Sequence, residues 1–288
     1  MSEPFVGSEA VANGDVSKSA LRTRYRRLLP NVYVGPHVEL TSEVRAKAAW
    51  LWSRRKGIVA GVTASAVHGA KWAEPGEPLE ILHRNRNPIS GLRVRGDRIE
   101  DDEIIWLNGI PVTTAARTAL DLGCWRQGDD AVVAIDALLA AVELKVADVE
   151  LVAERYPARR GIRQARAALE LADGGSQSPR ETKLRLLLIR AGFPCPQTQI
   201  PVRDESGDVF AYLDMGWEDV MVAVEYDGEQ HRTDHWQYKW DIRRQEKIQR
   251  TGWIDVRVVA ADRPSDIIRR VAAARASRGI NDRLWVRR

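Results

Sequence analysis

Cysteine is scarce in this chain: Cys124 and Cys195 are the only two, far apart and without the spacing of a metal site. That argues against a disulfide scaffold or a cysteine-built zinc site, and both thiols read as small apolar core residues. The opening residues are polar and acidic rather than basic and then apolar, so no secretory leader is expected. Reduced thiols and no leader point to the cytoplasm. No apolar stretch approaches the roughly 20 residues that a membrane-spanning helix needs, and no membrane partner is expected. Charge of one sign is not in excess either: 44 Lys and Arg face 40 Asp and Glu, for a net charge of +4. No internal repeat or low-complexity tract is visible. What is present, 288 residues that are 44% hydrophobic and 29% charged, suffices for two or three small cored domains.

Residues 178–260 carry three carboxylates where a metal-dependent nuclease needs them. Ser178-Pro179-Arg180-Glu181 is a helix start, with a capping serine, proline at the first helical position and the acid of a capping box. The pattern predicts a helix over 179–191, with Leu184, Leu187 and Leu188 as its buried stripe and Gly192 and Pro194 as its stop. Glu181 falls in the first turn. Two β-rich runs, 209–217 and 220–228, flank Glu218-Asp219, which reads as a hairpin. With those two residues as the loop, Trp217 faces Val220, Asp214 faces Ala223 and Tyr212 faces Glu225. Asp214, Ala223, Glu225 and Asp227 then share one face, where two carboxylates can bridge one cation and small Ala223 leaves room for it. Leu213, Val222, Val224 and Tyr226 are expected as core on the other. A first strand over 198–202, a helix over 235–250, a strand over 253–260 and a helix over 264–278 complete an α/β (α+β) unit of order α-β-β-β-α-β-α.

These residues carry a resemblance. Ser178-Pro179-Arg180-Glu181, Tyr212-Leu213-Asp214, Val224-Glu225-Tyr226-Asp227-Gly228-Glu229-Gln230-His231, Asp241-Ile242-Arg243-Arg244 and Thr251-Gly252-Trp253 together resemble the very-short-patch-repair-like endonuclease family. That family is a branch of the restriction-endonuclease-like (PD-(D/E)XK) superfamily, and the match covers about the last 115 residues. It implies a nuclease core that uses Mg2+ or Mn2+. Asp214 and Glu225 would be ligands, Glu181 an outer ligand or water-positioner, and His231 would lie near the scissile phosphate. The superfamily pattern ends in Glu-x-Lys, whereas the third position here is Asp227, so the water-activating lysine is missing. His231, whose ordinary pKa lies near neutrality, can substitute as acid or base. Arg243, Arg244 and Lys247 on the following helix are expected to hold phosphates.

Basic residues also gather near the start. Lys18, Arg22, Arg24, Arg26 and Arg27 fall in ten residues without an acid, after Ser17 as a helix cap and before the hairpin-like 28–34. Helix, turn, basic helix and β wing is the layout of a winged helix-turn-helix, so this segment is a candidate DNA contact, against the plainer alternative of a solvated helix. Farther on, Thr63-Ala64-Ser65-Ala66-Val67-His68-Gly69-Ala70, the Asn108-Gly109 turn and the helix that begins near Thr113 resemble the AbiEi-type antitoxin domain of abortive-infection systems over about residues 8–125. Its N-terminal part is a winged helix. His68 reads as a packed, hydrogen-bonded residue rather than a catalyst. Trp236 and Trp240 read as core or flank, with base wedging or stacking as the alternative that the nuclease resemblance implies.

The expected organisation is a winged-helix-like region over 1–57, an antitoxin-like and helical middle over 58–172, and a nuclease domain over 173–288. Asp173-Gly174-Gly175-Ser176-Gln177 is the candidate linker. Two functions of different class follow. One is a metal-dependent DNA endonuclease in repair or in phage or plasmid defence, and the other is a non-catalytic, antitoxin-like DNA-binding regulator. DNA is the expected partner, with a second copy of the chain or a toxin–antitoxin or defence protein as further candidates. The location expected is the cytoplasm, on the nucleoid when DNA is bound.

Overall fold

Ser17 Oγ accepts the Ala20 N–H at 3.1 Å, so the basic helix near the start is capped by its own sequence. The computed structural model describes residues 2–71, 76–84, 89–227 and 235–282, and the chain divides into two compact units, Met1–Ala172 and Asp173–Arg288. The first unit begins with β1 (Phe5–Val6), α1 (Gly7–Ala12), α2 (Lys18–Arg24), β2 (Arg26–Leu29) and β3 (Val32–Val34), the strands forming an antiparallel sheet in the order β1-β3-β2. Ala10, Val16 and Leu21 form its small core, against Phe5, Tyr25 and Tyr33. Helix, turn, helix and hairpin thus follow in the expected order.

The chain continues through α3 (Ser42–Trp52), β4 (Ile58–Val59), α4 (Gly61–Val67), β5 (Leu79–Leu82), β6 (Leu92–Arg95), β7 (Ile104–Leu107), β8 (Ile110–Thr113), α5 (Ala115–Trp125), α6 (Asp129–Leu139), α7 (Val146–Glu154) and α8 (Ile162–Leu169). Five of these strands form one mixed sheet in the order β6-β5-β4-β8-β7. The β7–β8 turn is Asn108-Gly109, both at positive φ, which is what a two-residue hairpin loop with this pair requires. The boundary expected at residue 57 runs through a shared core, because Leu29, Val32, Ala48, Ala49 and Leu51 pack with Leu79, Ile81 and Leu92. Arg117, fully buried, donates to Glu103, Asp121 and the Arg98 carbonyl, and Arg159 binds Asp97 and Asp121. Charges in this helical region therefore serve its interior as well as its surface. His68 Nε2 lies 2.8 Å from the Thr113 carbonyl, half-buried, which is the packed role its sequence context suggests.

The second unit comprises α9 (Pro179–Ala191), β9 (Gln197–Arg203), β10 (Val209–Trp217), β11 (Val222–Asp227), α10 (His235–Arg250), β12 (Ile254–Val259) and α11 (Pro264–Ala276). Its four-stranded sheet has the order β12-β11-β10-β9, antiparallel except for the parallel β11–β12 pair. Two cores cover it. Leu184 and Leu188 of α9 and Ile267 and Val271 of α11 pack with Met215, Trp217, Val222, Val224, Val256 and Val258. The second holds Ile200, Val202, Ala211, Leu213 and Ala223 with Ile248 and Trp253. Leu213 therefore parts from Val222 and Val224, with which it was expected, and packs with Ala223 in the second cluster.

The expected linker at 173–177 is ordered as part of the second unit. Asp173 accepts the Thr198 hydroxyl at 3.0 Å and the Gly175 N–H at 2.8 Å, and Ser176 is buried. Gly175 is required there, since a Cβ would lie 1.9 Å from Thr198 Oγ1. A fragment Asp173–Arg288 should fold alone. One beginning at residue 176 should lose roughly 1.5 to 3 kcal/mol with the carboxylate's hydrogen bonds, read as a lower melting temperature by circular dichroism. Equal melting of the two fragments would make 173–175 a mere tether.

Candidate functional site

The acidic face forms where β10, β11 and β12 lie side by side. Met215 pairs with Val224, Gly216 with Ala223 and Trp217 with Val222, so Trp217 does not face Val220 as expected. The connection is a four-residue turn at 218–221, in which the Met221 N–H donates to the Glu218 carbonyl at 3.2 Å and Met221 takes φ +52°. A two-residue loop of the favoured kind would have put φ positive at Glu218, where glycine or asparagine is preferred. The register therefore moves by two residues. Asp214 shifts from opposite Ala223 to the position beyond the Met215–Val224 pair, beside Glu225.

There the β10–β11 ladder ends, and the Tyr226 N–H donates to Asp214 Oδ2 at 2.8 Å. Glu225, only 6% exposed, accepts Arg244 Nη2 at 2.9 Å on Oε1, and the same nitrogen donates to the Tyr212 carbonyl at 2.7 Å. Glu181 is also buried. Its Oε1 accepts the Ser178 hydroxyl at 2.8 Å, its Oε2 accepts the Gln177 N–H at 2.7 Å, and the Glu181 N–H returns to Ser178 Oγ at 3.2 Å. The capping motif thus fixes the acid beside the sheet.

Asp255 on β12 is absent from the sequence-based candidates. It pairs in register with Ala223, and its side chain is completely buried. Among the described residues no N–H or hydroxyl donates to either of its oxygens, and the carboxyl it lies against is Glu225. The available signal is an aspartate inside an apolar strand, Ile254-Asp255-Val256, where that residue type is disfavoured and burial is expensive.

Four carboxylates, Glu181, Asp214, Glu225 and Asp255, are thus gathered with Arg244 and Arg257. Burial, with the negative charges of Glu181 and Glu225, pushes the Asp214 carboxyl up to about 7. Burial and the adjacent Glu225 push Asp255 up to about 8. Both shifts come first from burial, with the neighbouring carboxylates adding to it and the arginines opposing it. As the side chains stand, no three Asp, Glu, His or Cys groups among the described residues converge to hold a metal ion. The donor chemistry nonetheless suits a hard divalent cation: carboxylate oxygens, two of them orphaned in the interior.

The other predicted residues are placed differently. Asp227 is half-buried, with Oδ2 3.7 Å from Arg257 Nη1. Arg244, expected at a phosphate, is held by Glu225, because a buried carboxylate draws the nearest guanidinium. Lys247, also expected at a phosphate, reaches Asp204 at 3.2 Å and lies 4.0 Å above the Phe210 ring. Arg243 is exposed. His231 lies outside the described residues, as do the side chains of Trp236 and Trp240. In the first unit, Lys18, Arg22, Arg24, Arg26 and Arg27 are all exposed, though Arg26 is committed to the Val38 carbonyl at 2.6 Å. No described helix is long and apolar enough to cross a membrane.

No family model matches the chain, and no solved structure matches it. Two relatives from Mycobacterium tuberculosis are similar to it: Uncharacterized protein Rv2248 of strain H37Rv and Uncharacterized protein MT2308 of strain CDC 1551. Each is 30% identical over 156 residues, covering 54% of this chain and 57% of the relative. The chain therefore spans a little over half the length of the curated relatives it matches.

Proposed function

We propose that this chain is a metal-dependent DNA endonuclease whose Asp173–Arg288 unit hydrolyses phosphodiester bonds. The observation that carries the proposal is the acidic cluster of buried Glu181 and Glu225, half-buried Asp214 and the buried Asp255 side chain, whose oxygens receive no N–H or hydroxyl donor among the described residues. Burying such groups for stability alone is costly, and a face of like charge repels DNA unless a cation intervenes. The order α9-β9-β10-β11-α10-β12-α11 supports it too, because the restriction-endonuclease-like superfamily that the sequence resembles uses that order.

A bound Mg2+ or Mn2+ would supply Lewis acidity toward the phosphate and a more acidic water. Asp214 and Glu225 are the residues that would hold it. Glu181, tied to its helix start, adds fixed negative charge beside Asp214. Arg244 pairs with Glu225 and would be available to a phosphate if a cation took its place there. Asp227 stands half-exposed at the edge, and His231 follows it in sequence as the proposed acid or base. A regulator without catalysis is favoured by one observation, that Arg244 already occupies Glu225 as a cation would. Incubating the full chain with supercoiled plasmid and with single-stranded DNA, in Mg2+, Mn2+ or chelator, decides between the two. Cation-dependent cutting supports the endonuclease, and binding without cutting supports the regulator.

The proposed backbone contact is the exposed basic face of α2 and β2. Replacing Arg22, Arg24 and Arg27 by Ala should weaken DNA binding and lower the slope of log affinity against log salt by up to about 2.7, at roughly 0.9 per phosphate contact. Arg26 is left in place because it ties its strand to Val38. An unchanged slope would make this face ordinary surface.

A further inference from the structure

Asp255 stands in β12 between Ile254 and Val256, with Val258 beyond, in a strand that serves the core. Its side chain is 0% exposed and, among the described residues, no N–H or hydroxyl donates to either oxygen, the Glu225 carboxyl being its close neighbour. The nearest described cation, Arg257, brings Nε only to 3.5 Å from Oδ2, and that nitrogen is itself without a hydrogen-bond partner. An apolar side chain would fill this place at no electrostatic cost, so a buried ionisable group there calls for a ligand. The neighbours across the sheet are small: Ala223 is its partner on β11, and Gly216 is the partner of Ala223 on β10. A Cβ at Gly216 would lie 2.4 Å from the Val222 carbonyl oxygen, so this close strand approach requires glycine. Two residues beyond Ala223 on the same strand is Glu225, and beside Glu225 is Asp214.

We infer that Asp255 is a third carboxylate ligand of the divalent-cation site formed with Asp214 and Glu225. The inference rests on reading this cluster as a metal site and adds the residue that would make it tripodal. Oxygen-only ligation by three carboxylates suits Mg2+ and Mn2+, and ligand charge count sets the affinity of such sites. Arg244, which pairs with Glu225, would compete with such a cation for the same carboxylate.

The test is Mn2+ binding by the full chain without DNA, followed by the loss of the free-ion electron paramagnetic resonance signal. Unmutated protein is compared with Asp255→Asn, Asp255→Leu, Asp214→Asn and Asp227→Asn. Expected are binding by the unmutated chain, at least about tenfold weaker binding by both Asp255 variants and by Asp214→Asn, and little change in Asp227→Asn. Melting without metal should be unchanged or higher in at least one Asp255 variant, because an unpartnered carboxylate is removed. If both Asp255 variants bind Mn2+ as tightly as the unmutated chain, this inference falls and the Asp214–Glu225 site stands. If the unmutated chain takes up no Mn2+, the metal-site reading falls and this inference with it. Lower metal-free melting in both Asp255 variants would make Asp255 a structural residue and overturn the assignment.

Discussion

Asp214→Asn should abolish cation-dependent DNA cleavage while leaving the fold intact. The carboxylate Oδ2 accepts the Tyr226 N–H at 2.8 Å, and an asparagine carbonyl can accept the same bond, so the local backbone keeps its partner. What is lost is an anionic ligand. Losing several kcal/mol of charge stabilisation at the phosphate corresponds to a rate reduction on the order of a thousandfold or more. Affinity for DNA without metal should hold or tighten, because one negative charge leaves a face that DNA must approach. The measurement is single-turnover cleavage and metal-free binding on the same repurified samples. Cleavage at the unmutated rate would place the active site elsewhere, and loss of cleavage with loss of secondary structure would expose a structural role instead.

The second large effect is a reversal of the usual acid sensitivity of carboxylates. Asp214 is pushed up to about 7, chiefly by burial and then by Glu181, and Asp255 up to about 8 by burial and Glu225. Unfolded aspartate titrates near 4, roughly. Between that value and about 7 to 8 the folded chain holds protons that the unfolded chain has released, so metal-free stability falls as pH rises through this window. At roughly 1.4 kcal/mol per pKa unit, Asp214 alone corresponds to a loss on the order of 4 kcal/mol between pH 4 and 8, a ceiling because the cluster titrates together. Melting in chelator should therefore drop from pH 5.5 to 8.5. Mn2+ should raise the melting temperature more at pH 8.5 than at 5.5, since the ion competes with protons for the same oxygens. The Asp214→Asn variant isolates the effect, as its melting should depend less on pH over this range. Equal pH dependence in the two proteins would mean that Asp214 does not titrate in this window.

Local chemistry was enough for much of this molecule. Ser178, Pro179 and Glu181 set where α9 starts, Gly192 sets where it stops, and Ser17 caps α2, because each acts on backbone groups within a few residues. The succession of helices and strands in the second unit follows from the same short-range rules, as does the Asn108-Gly109 turn. Asp214 and Glu225 still meet despite a two-residue error in register, because the true pairing carries Asp214 to the position beside Glu225.

Tertiary structure decided the rest. The 218–221 turn, with Met221 at positive φ, set the true pairing of β10 with β11, although no turn residue in it announces a four-residue loop. Packing of Leu29 and Val32 with Leu79 and Ile81 joined regions that differ in sequence style. Arg244 was drawn to buried Glu225 rather than left on the surface, and Asp173 turned an apparent linker into part of the second unit. Asp255 shows the reason most directly. Its place beside Ala223 depends on a parallel pairing between strands separated by a whole helix, and such a crossover leaves the register to the packing of the sheet rather than to any turn. Sequence determined the elements, while the gathering of carboxylates from α9, β10, β11 and β12, like the face that Leu213 takes, depended on contacts that exist only when the sheet is assembled.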